Sequence, residues 1–200
     1  MKKKKLRLSL VLVGLVLIVG GGYFGWQWYE EQPVSQLELN QTYASNYDFK
    51  LLEGNRWVVL LDNSDYEDED ELEEERLDNY PDDVYPEQTF YEGTYKKKGD
   101  KYYFRMTKSV TVQFKSVKAV EKKEIFKKYI DNAENLVYQK EPTLVKTKSG
   151  YVYRDIYTEV DEDGEESQLV DEIPVNHSSD KLPDSVEHFL KQFKDVANKS

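Results

Sequence analysis

The sequence predicts an α+β fold in which strands dominate: an N-terminal transmembrane helix, an antiparallel meander of about seven or eight strands, barrel-like or strongly curved, a mid-chain helix and a C-terminal helix. Three observations carry it. A run of 21 residues without charge, Leu8 to Trp28, follows a cluster of basic residues. Beyond it, apolar and polar residues alternate between short glycine-bearing connections, as in strands with one face in a core. At two places, 119–132 and 184–197, the apolar spacing changes to that of a helix stripe.

Residues 1–7 form a basic cap with Lys2, Lys3, Lys4, Lys5 and Arg7, and 8–28 form the candidate signal-anchor. At ~1.5 Å rise per residue the uncharged run gives about 31 Å of helix, enough for a hydrocarbon core of roughly 30 Å. Trp26 and Trp28, with Tyr23, Phe24 and Tyr29, stand at its outer end, where amphipathic rings favour the interface. The alternative is a cleaved secretory signal with Leu10–Val19 as its apolar core, for which only Gly20, Gly21 and Gly22 offer small residues at a cut. Because the lysines lie on the N-terminal side, the expected topology is single-pass at the cell membrane, N-terminus inside and the bulk of the chain extracytoplasmic. Gly20, Gly22 and Gly25 match G-x-G-x-x-G, but inside an apolar span, without the strand and helix a dinucleotide site requires. Gly21 and Gly25 match G-x-x-x-G, which either lets helices approach in lipid or loosens the helix exit.

Residues 29–36 read as a linker and 37–200 as one β-rich domain, with no cysteine to staple it. Residues 37–46 stay open, with Leu37, Leu39 and Tyr43 as material for a first strand. Tyr47–Leu52 and Arg56–Leu61 flank Glu53-Gly54-Asn55 and read as a hairpin whose second arm, apolar on both faces, must be central or covered by a helix. Gln88–Lys97 and Lys101–Thr107 flank Lys98-Gly99-Asp100 as a second hairpin. Val110, Val112 and Phe114 continue the alternation in what reads as a further consecutive strand. Ile125, Phe126, Tyr129, Ile130 and Ala133 give the mid-chain helix its stripe. Leu136–Gln139 and Thr143–Lys148 read as short strands around Pro142, and Tyr151–Val160 with Ser167–Ile173 as a hairpin turning at Asp163-Gly164. Asp184 as N-cap and Glu187 as its capping-box partner open the last helix, with Val186, Phe189, Leu190, Phe193, Val196 and Ala197 on one face.

Charge is partitioned. The net charge is −11, and without the five basic residues of the cap it is −16, a field that repels nucleic acid. Asp62–Glu87 holds fourteen acidic residues against Arg76 alone, Tyr91–Lys128 twelve basic against four acidic, and Asp155–Glu172 nine acidic and no basic. The first block has little to bury and reads as a disordered acidic loop over 62–87, or as a frayed, solvated helix. Lys96, Lys97, Lys98, Lys101, Lys115 and Lys118 mark a possible interaction surface for an anionic wall polymer or another envelope protein. Glu67–Glu75 could fold over these lysines, over Lys108 and over the lysines of the 119–132 helix, masking the basic face until such a partner competes.

Catalytic signatures are absent: no G-x-S-x-G, no H-E-x-x-H, no P-loop and no cysteine nucleophile. His188 sits one step off the last helix stripe, and His177 stands beside Ser178, Ser179 and Asp180, neighbours too close in sequence to face one another as a triad must. Asp161, Asp163 and Glu165 are candidate calcium ligands, because calcium takes oxygens, although their spacing departs from the roughly twelve-residue calcium loop. No cofactor is expected. Rows such as Tyr91, Tyr95 and Tyr103, or Tyr151, Tyr153 and Tyr157, either line a sheet face that binds sugar or peptide or pack as ordinary half-buried strand residues.

The lysine-capped anchor and cysteine-free, charge-rich export resemble the small surface proteins of Gram-positive bacteria. The FYEGTY…GDKYYF hairpin, Phe90–Tyr95 and Gly99–Phe104, resembles those of lipocalin-like barrels, a resemblance of one hairpin that carries no ligand with it. The expectation is therefore a non-enzymatic, membrane-anchored interaction module, with a lipocalin-like small-ligand carrier as the alternative and a carboxylate-dependent hydrolase as a third class.

Overall fold

The computed structural model describes residues 32–78, 84–133, 137–160 and 166–196. The expected anchor, with Lys2 to Lys5, Arg7, Trp26 and Trp28, and the turn that carries Asp161, Asp163 and Glu165 lie outside the described residues. Among the described residues no helix is long and apolar enough to cross a membrane.

Strands dominate, as the alternation requires. β1 (Thr42–Ala44) pairs with β2 (Asp48–Leu52), which turns through Glu53–Asn55 into β3 (Arg56–Asn63); Gly54 takes φ 72° there, a left-handed value open to a residue without Cβ. The acidic stretch follows, and its residues Glu69–Asp78 form a helix, α1. β4 (Glu87–Lys98) and β5 (Lys101–Gln113) form a long hairpin turning on Gly99-Asp100. Then come α2 (Val117–Glu121), β6 (Glu124–Ile125), β7 (Lys127–Asn132), β8 (Leu144–Lys146), β9 (Tyr151–Val160), β10 (Glu166–Pro174), β11 (Asn176–His177), α3 (Val186–Leu190) and β12 (Lys194–Asp195).

The main sheet runs β10-β9-β8-β5-β4-β3-β2-β1-β11, with β7 also on β5, and all its pairings are antiparallel. Only Val175 separates β10 from β11, so one extended segment pairs with β9 along its first part and with β1 along its last. The sheet thereby nearly closes into a barrel. Val34 threads the seam: its N–H donates to the Val175 carbonyl at 3.0 Å and its carbonyl accepts from Tyr151 N–H at 2.8 Å.

Two cores result, one on each face of the sheet. Tyr43, Phe49, Leu51, Trp57, Val59, Tyr95, Tyr102, Phe104, Leu144 and Tyr151 fill the inside. Val58, Phe90, Val110, Val112 and Phe114 point outward and are covered by α3 and its flanks, with Phe189 stacked on Phe90 at 4.9 Å and 12°. The two apolar faces of β3 thus have the coverings its sequence demands.

Sequence and structure part company at several elements, among them the short strand expected over Leu136–Gln139, whose described residues 137–139 lie in no strand. The Tyr102–Phe114 alternation is one strand rather than two, broken by a bulge: Gly93 faces Met106 while Glu92 faces Lys108, so Thr107 is extra and its hydroxyl donates to the Glu92 carbonyl at 3.0 Å. The bulge inverts the faces, which sends Tyr102 and Phe104 to the inner core and Val110 and Val112 to the outer one.

The helix expected over 119–132 is reduced to α2. Ser116 caps it by accepting from Ala119 N–H at 3.2 Å, and Lys123 at φ 56° ends it. β8 pairs only with Lys101 and Tyr102 of β5, leaving Lys108–Gln113 with unpaired backbone groups that β7 satisfies. A sheet edge that needs a partner outweighs a helix stripe that has little to pack on, and Tyr129 and Ile130 end up 50 % and 45 % exposed. The C-terminal helix is likewise short. Its N-cap is Ser185, which accepts from His188 N–H at 3.2 Å, and Lys194–Asp195 leaves the helix to pair in parallel with β6. Asp184, the expected cap, is instead the partner of Lys50, a buried lysine whose ammonium also donates to the Leu182 carbonyl.

Candidate functional site

The inside of the barrel is packed solid at one end and open at the other. Strand periodicity decides what lines the open end: Trp57, Val59 and Leu61 alternate along β3, Phe104 and Met106 precede the bulge on β5, and Tyr153 and Asp155 alternate on β9. Tyr91 of β4 and Tyr47, just before β2, join them around a cavity of about 280 Å³. Gly93 makes room for this wall, since a Cβ there would stand 2.8 Å from Trp57 Nε1 and 2.1 Å from the Arg105 carbonyl. The indole therefore lies across the strand, donating to the Thr94 carbonyl at 3.0 Å and stacking on Phe104 at 4.7 Å and 11°.

Tyr47 and Tyr153 meet edge to face at 5.7 Å, and the Tyr47 hydroxyl donates to Asp155 Oδ2 at 3.3 Å. Burial pushes the Tyr153 phenol up, assisted by the neighbouring Tyr47 and Asp155; Tyr47 is raised by burial and then by Asp155, and Tyr91 by burial and then by Glu87. All three phenols stay neutral at physiological pH, beside carboxylates. Asp155 is the one charged side chain among the described residues that line the cavity. Opposite it across the β9–β10 pair stands Asp171, whose charge raises the Tyr157 phenol farther along the same row.

A second cleft, about 580 Å³, lies on the outer face between β2–β3, α2 and the 180–182 loop. Asp48 is pushed up to about 6 there, first by burial and then by the Asp180 carboxylate hydrogen-bonded to it, with Asp62 adding a smaller push. Asp62 is satisfied, accepting from Ser64 N–H at 2.9 Å, from Ser64 Oγ at 2.6 Å and from Gln88 Nε2 at 2.7 Å.

The basic residues singled out from the sequence divide between two ends of the β4–β5 hairpin. Lys96, Lys97 and Lys98 stand at its tip, 4.0, 5.0 and 5.4 Å from the ring centres of Tyr138, Tyr102 and Tyr103, with Lys101 across the turn. Lys115 and Lys118 lie past its other end, beyond the last residue of β5. The acidic helix α1 reaches only this second group. Glu69 Oε1 accepts from Lys118 N–H at 3.2 Å, the Arg76 guanidinium donates to the Lys115 carbonyl at 3.2 Å, and Leu72 is fully buried beneath.

His177 lies in β11 with its ring 5.7 Å from that of Tyr43, and His188 is on the exposed side of α3. Ser178 and Asp180 interact with each other through the Asp180 N–H, not as a catalytic array around His177. Among the described residues no group of three or more histidine, aspartate or glutamate side chains has the geometry to hold a metal.

Of the mouth residues, Tyr91 and Tyr153 belong to the tyrosine rows visible in the sequence. Trp57 and Phe104 read there as core strand residues, and Asp155 as the start of an acidic block. The signal that joins them is alternation: Tyr153, Asp155 and Tyr157 share one parity on β9. No protein-family model matches the chain, and neither does any curated protein or solved structure with which it was compared.

Proposed function

We propose that the chain is a non-enzymatic binding protein, held at the outer face of a bacterial envelope of Gram-positive type by its N-terminal segment, and that the open end of its barrel takes a small ligand. The observation that carries this reading is the unequal filling of the barrel, with aromatic side chains closing one end and leaving about 280 Å³ at the other. Small-molecule sites are concave and combine apolar walls with polar groups that orient the guest, and this mouth sets Gln139, Asp155 and its phenols among Trp57, Val59, Leu61 and Phe104. The anchoring half of the proposal rests on the lysine-capped run of 21 uncharged residues. The lysines at the hairpin tip are a separate candidate contact for an anionic wall polymer or an envelope protein.

A hydrolase built on paired carboxylates fits less well. Glycoside hydrolysis uses carboxyl groups roughly 5 Å or more apart, whereas Asp48 and Asp180 are joined by a hydrogen bond.

Binding is tested with a neutral solvatochromic naphthalene ketone. Saturable, blue-shifted emission with the parent, weakened at least about tenfold (~1.4 kcal/mol) in Met106→Trp at the partly exposed rim, supports the mouth as the site. Equal binding by a Met106→Trp protein of unchanged thermal midpoint removes it. Topology is tested separately with single cysteines at Lys4 and Ser149 and an impermeant maleimide; labelling of intact cells at Lys4 but not at Ser149 refutes the anchored orientation.

A further inference from the structure

We infer that the ligand of the barrel mouth is a small organic cation with an alkylated ammonium head, held between the rings of Tyr47, Trp57, Tyr91, Phe104 and Tyr153 with Asp155 as its counter-charge. This rests on the reading of the mouth as a ligand site and names the chemistry of its guest.

The first argument is what the protein sets over several of its other rings, buried and exposed alike. Tyr85, Phe126, Tyr138, Tyr102, Tyr103 and Tyr151 each have a lysine or arginine of the chain over the ring, at 4.0 to 5.8 Å. A cation over an aromatic face is drawn to the negative side of the ring quadrupole. Among the described residues none of the chain's own cations lies over the five mouth rings, although the chain carries 28 lysines and arginines. Trp57 and Phe104 stack on each other and Tyr47 meets Tyr153 edge to face, so the cluster offers a guest an all-aromatic wall without a cation of its own.

The second argument is charge. Asp155 alone supplies the charge of the lining, Asp171 stands beside it across the strand pair, and the domain around them is strongly acidic. An anionic guest would meet carboxylates with no basic residue to offset them. A neutral sugar presents many hydroxyls that each want a partner, whereas the polar side chains of this lining are Gln139, Asp155 and the phenols of Tyr47, Tyr91 and Tyr153, set among ring faces. An alkylated ammonium has no donors to satisfy and asks for ring faces and one carboxylate. The third argument is size: about 280 Å³ lies just below the roughly 300–1,000 Å³ of pockets for drug-sized ligands, and suits a compact head group.

The test uses the full-length chain in polyoxyethylene detergent with Trp26→Phe and Trp28→Phe, so that Trp57 is the sole indole. Choline, its neutral tert-butyl isostere and a methyl glucoside are titrated against Trp57 emission. Choline should bind at least about tenfold tighter than the isostere. Asp155→Asn should erase that preference by weakening choline far more than the isostere, and Tyr47→Phe, which keeps the ring, should retain it. Equal binding of choline and isostere, or tighter binding of the glucoside, overturns the cation assignment and leaves the mouth standing as a ligand site. The assignment falls in the same way if the neutral naphthalene dye binds and none of the three does. If the dye also fails to bind, the mouth itself is not a site.

Discussion

Replacing Asp48 by asparagine should stabilise the protein at neutral pH and do nothing in acid. Asp48 faces the outer cleft with its carboxyl raised from 3.8 to about 6, because burial and then the neighbouring Asp180 carboxylate disfavour its charge. The native state therefore holds this proton more tightly than the unfolded chain does. Between about pH 4 and pH 6 the folded protein binds more protons, so stability must fall as pH rises through that window and level off above it. A carboxyl moved that far corresponds to about 3 kcal/mol at roughly 1.4 kcal/mol per tenfold change in proton affinity. Asp48 is only half-buried, and solvent screening brings the expected penalty to about 1–2 kcal/mol. Asparagine keeps the shape and a hydrogen bond to Asp180 while removing the charge. Urea unfolding at about pH 7.5 should show Asp48→Asn more stable than the parent by about 1–2 kcal/mol, a thermal gain of about 2–8 °C for a chain of this size. At about pH 3.5 the difference should vanish. Asp62→Asn is the control, because the Asp62 oxygens already accept from Ser64 and Gln88 and should give no gain. A variant that is destabilised at neutral pH, or whose advantage is the same in acid, refutes the shared-proton account of the cleft.

Gly93→Ala should lower the thermal midpoint sharply and red-shift Trp57 emission, since its Cβ would meet the Arg105 backbone carbonyl at 2.1 Å and displace the indole; an unchanged emission maximum would mean that the strand shifts and the wall does not depend on this glycine. Phe189→Ala, at a ring stacked on Phe90 and fully buried, should cost about 3–5 kcal/mol in chemical denaturation, and a loss below about 1 kcal/mol would show that the outer core closes without α3. Leu72→Ala should undock α1, raising the rate of limited proteolysis within 62–87 by about 30-fold or more, as a loss of about 2 kcal/mol in local opening requires. Equal cleavage rates would mean that the acidic helix is solvated in the native protein and Leu72 does not hold it.

What could be read from the chain was set by local signals. Hairpins were legible because a glycine at the turn and a period of two on both arms are written within about ten residues, as at Gly54 and Gly99. The covered second face of β3 was legible from Val58 and Leu60 standing between Trp57, Val59 and Leu61. What escaped depends on partners distant in sequence. Thr107 changes nothing in the alternation of even-numbered residues, so the exchange of faces on β5 exists only in its pairing with β4. Lys127–Asn132 carries a helix stripe, and it becomes a strand because β8 is too short to cover β5. The last helix stops because Lys194 and Asp195 find β6, a strand of two residues that no local pattern announces. Of the mouth only Tyr91 and Tyr153 stood in the tyrosine rows of the sequence, while Asp155 was submerged in a long acidic block and Trp57 in a core strand.

The position of the mouth follows from how the barrel closes. β1 is three residues long and pairs with β11 through Tyr43 opposite His177 and Ala44 opposite Asn176, with the Ser178 N–H donating to the Thr42 carbonyl at 3.2 Å. At Ser45 the chain bends away, its N–H turning to the Tyr47 carbonyl at 3.1 Å instead of continuing the ladder toward β10. Had that ladder gone on in register, Tyr47 would oppose Ile173, the residue already facing Tyr153 from β10. Instead the seam parts there, and side chains take over from backbone: the Tyr47 ring meets Tyr153 and its hydroxyl reaches Asp155. A seam sealed by side chains opens at far lower cost than one sealed by a strand pair, because a single partly exposed hydrogen bond contributes only about 1 kcal/mol. The weakest closure of the barrel thus coincides with its unfilled end, and the two residues that bridge it, Tyr47 and Asp155, are the same two that a cationic guest would separate and engage.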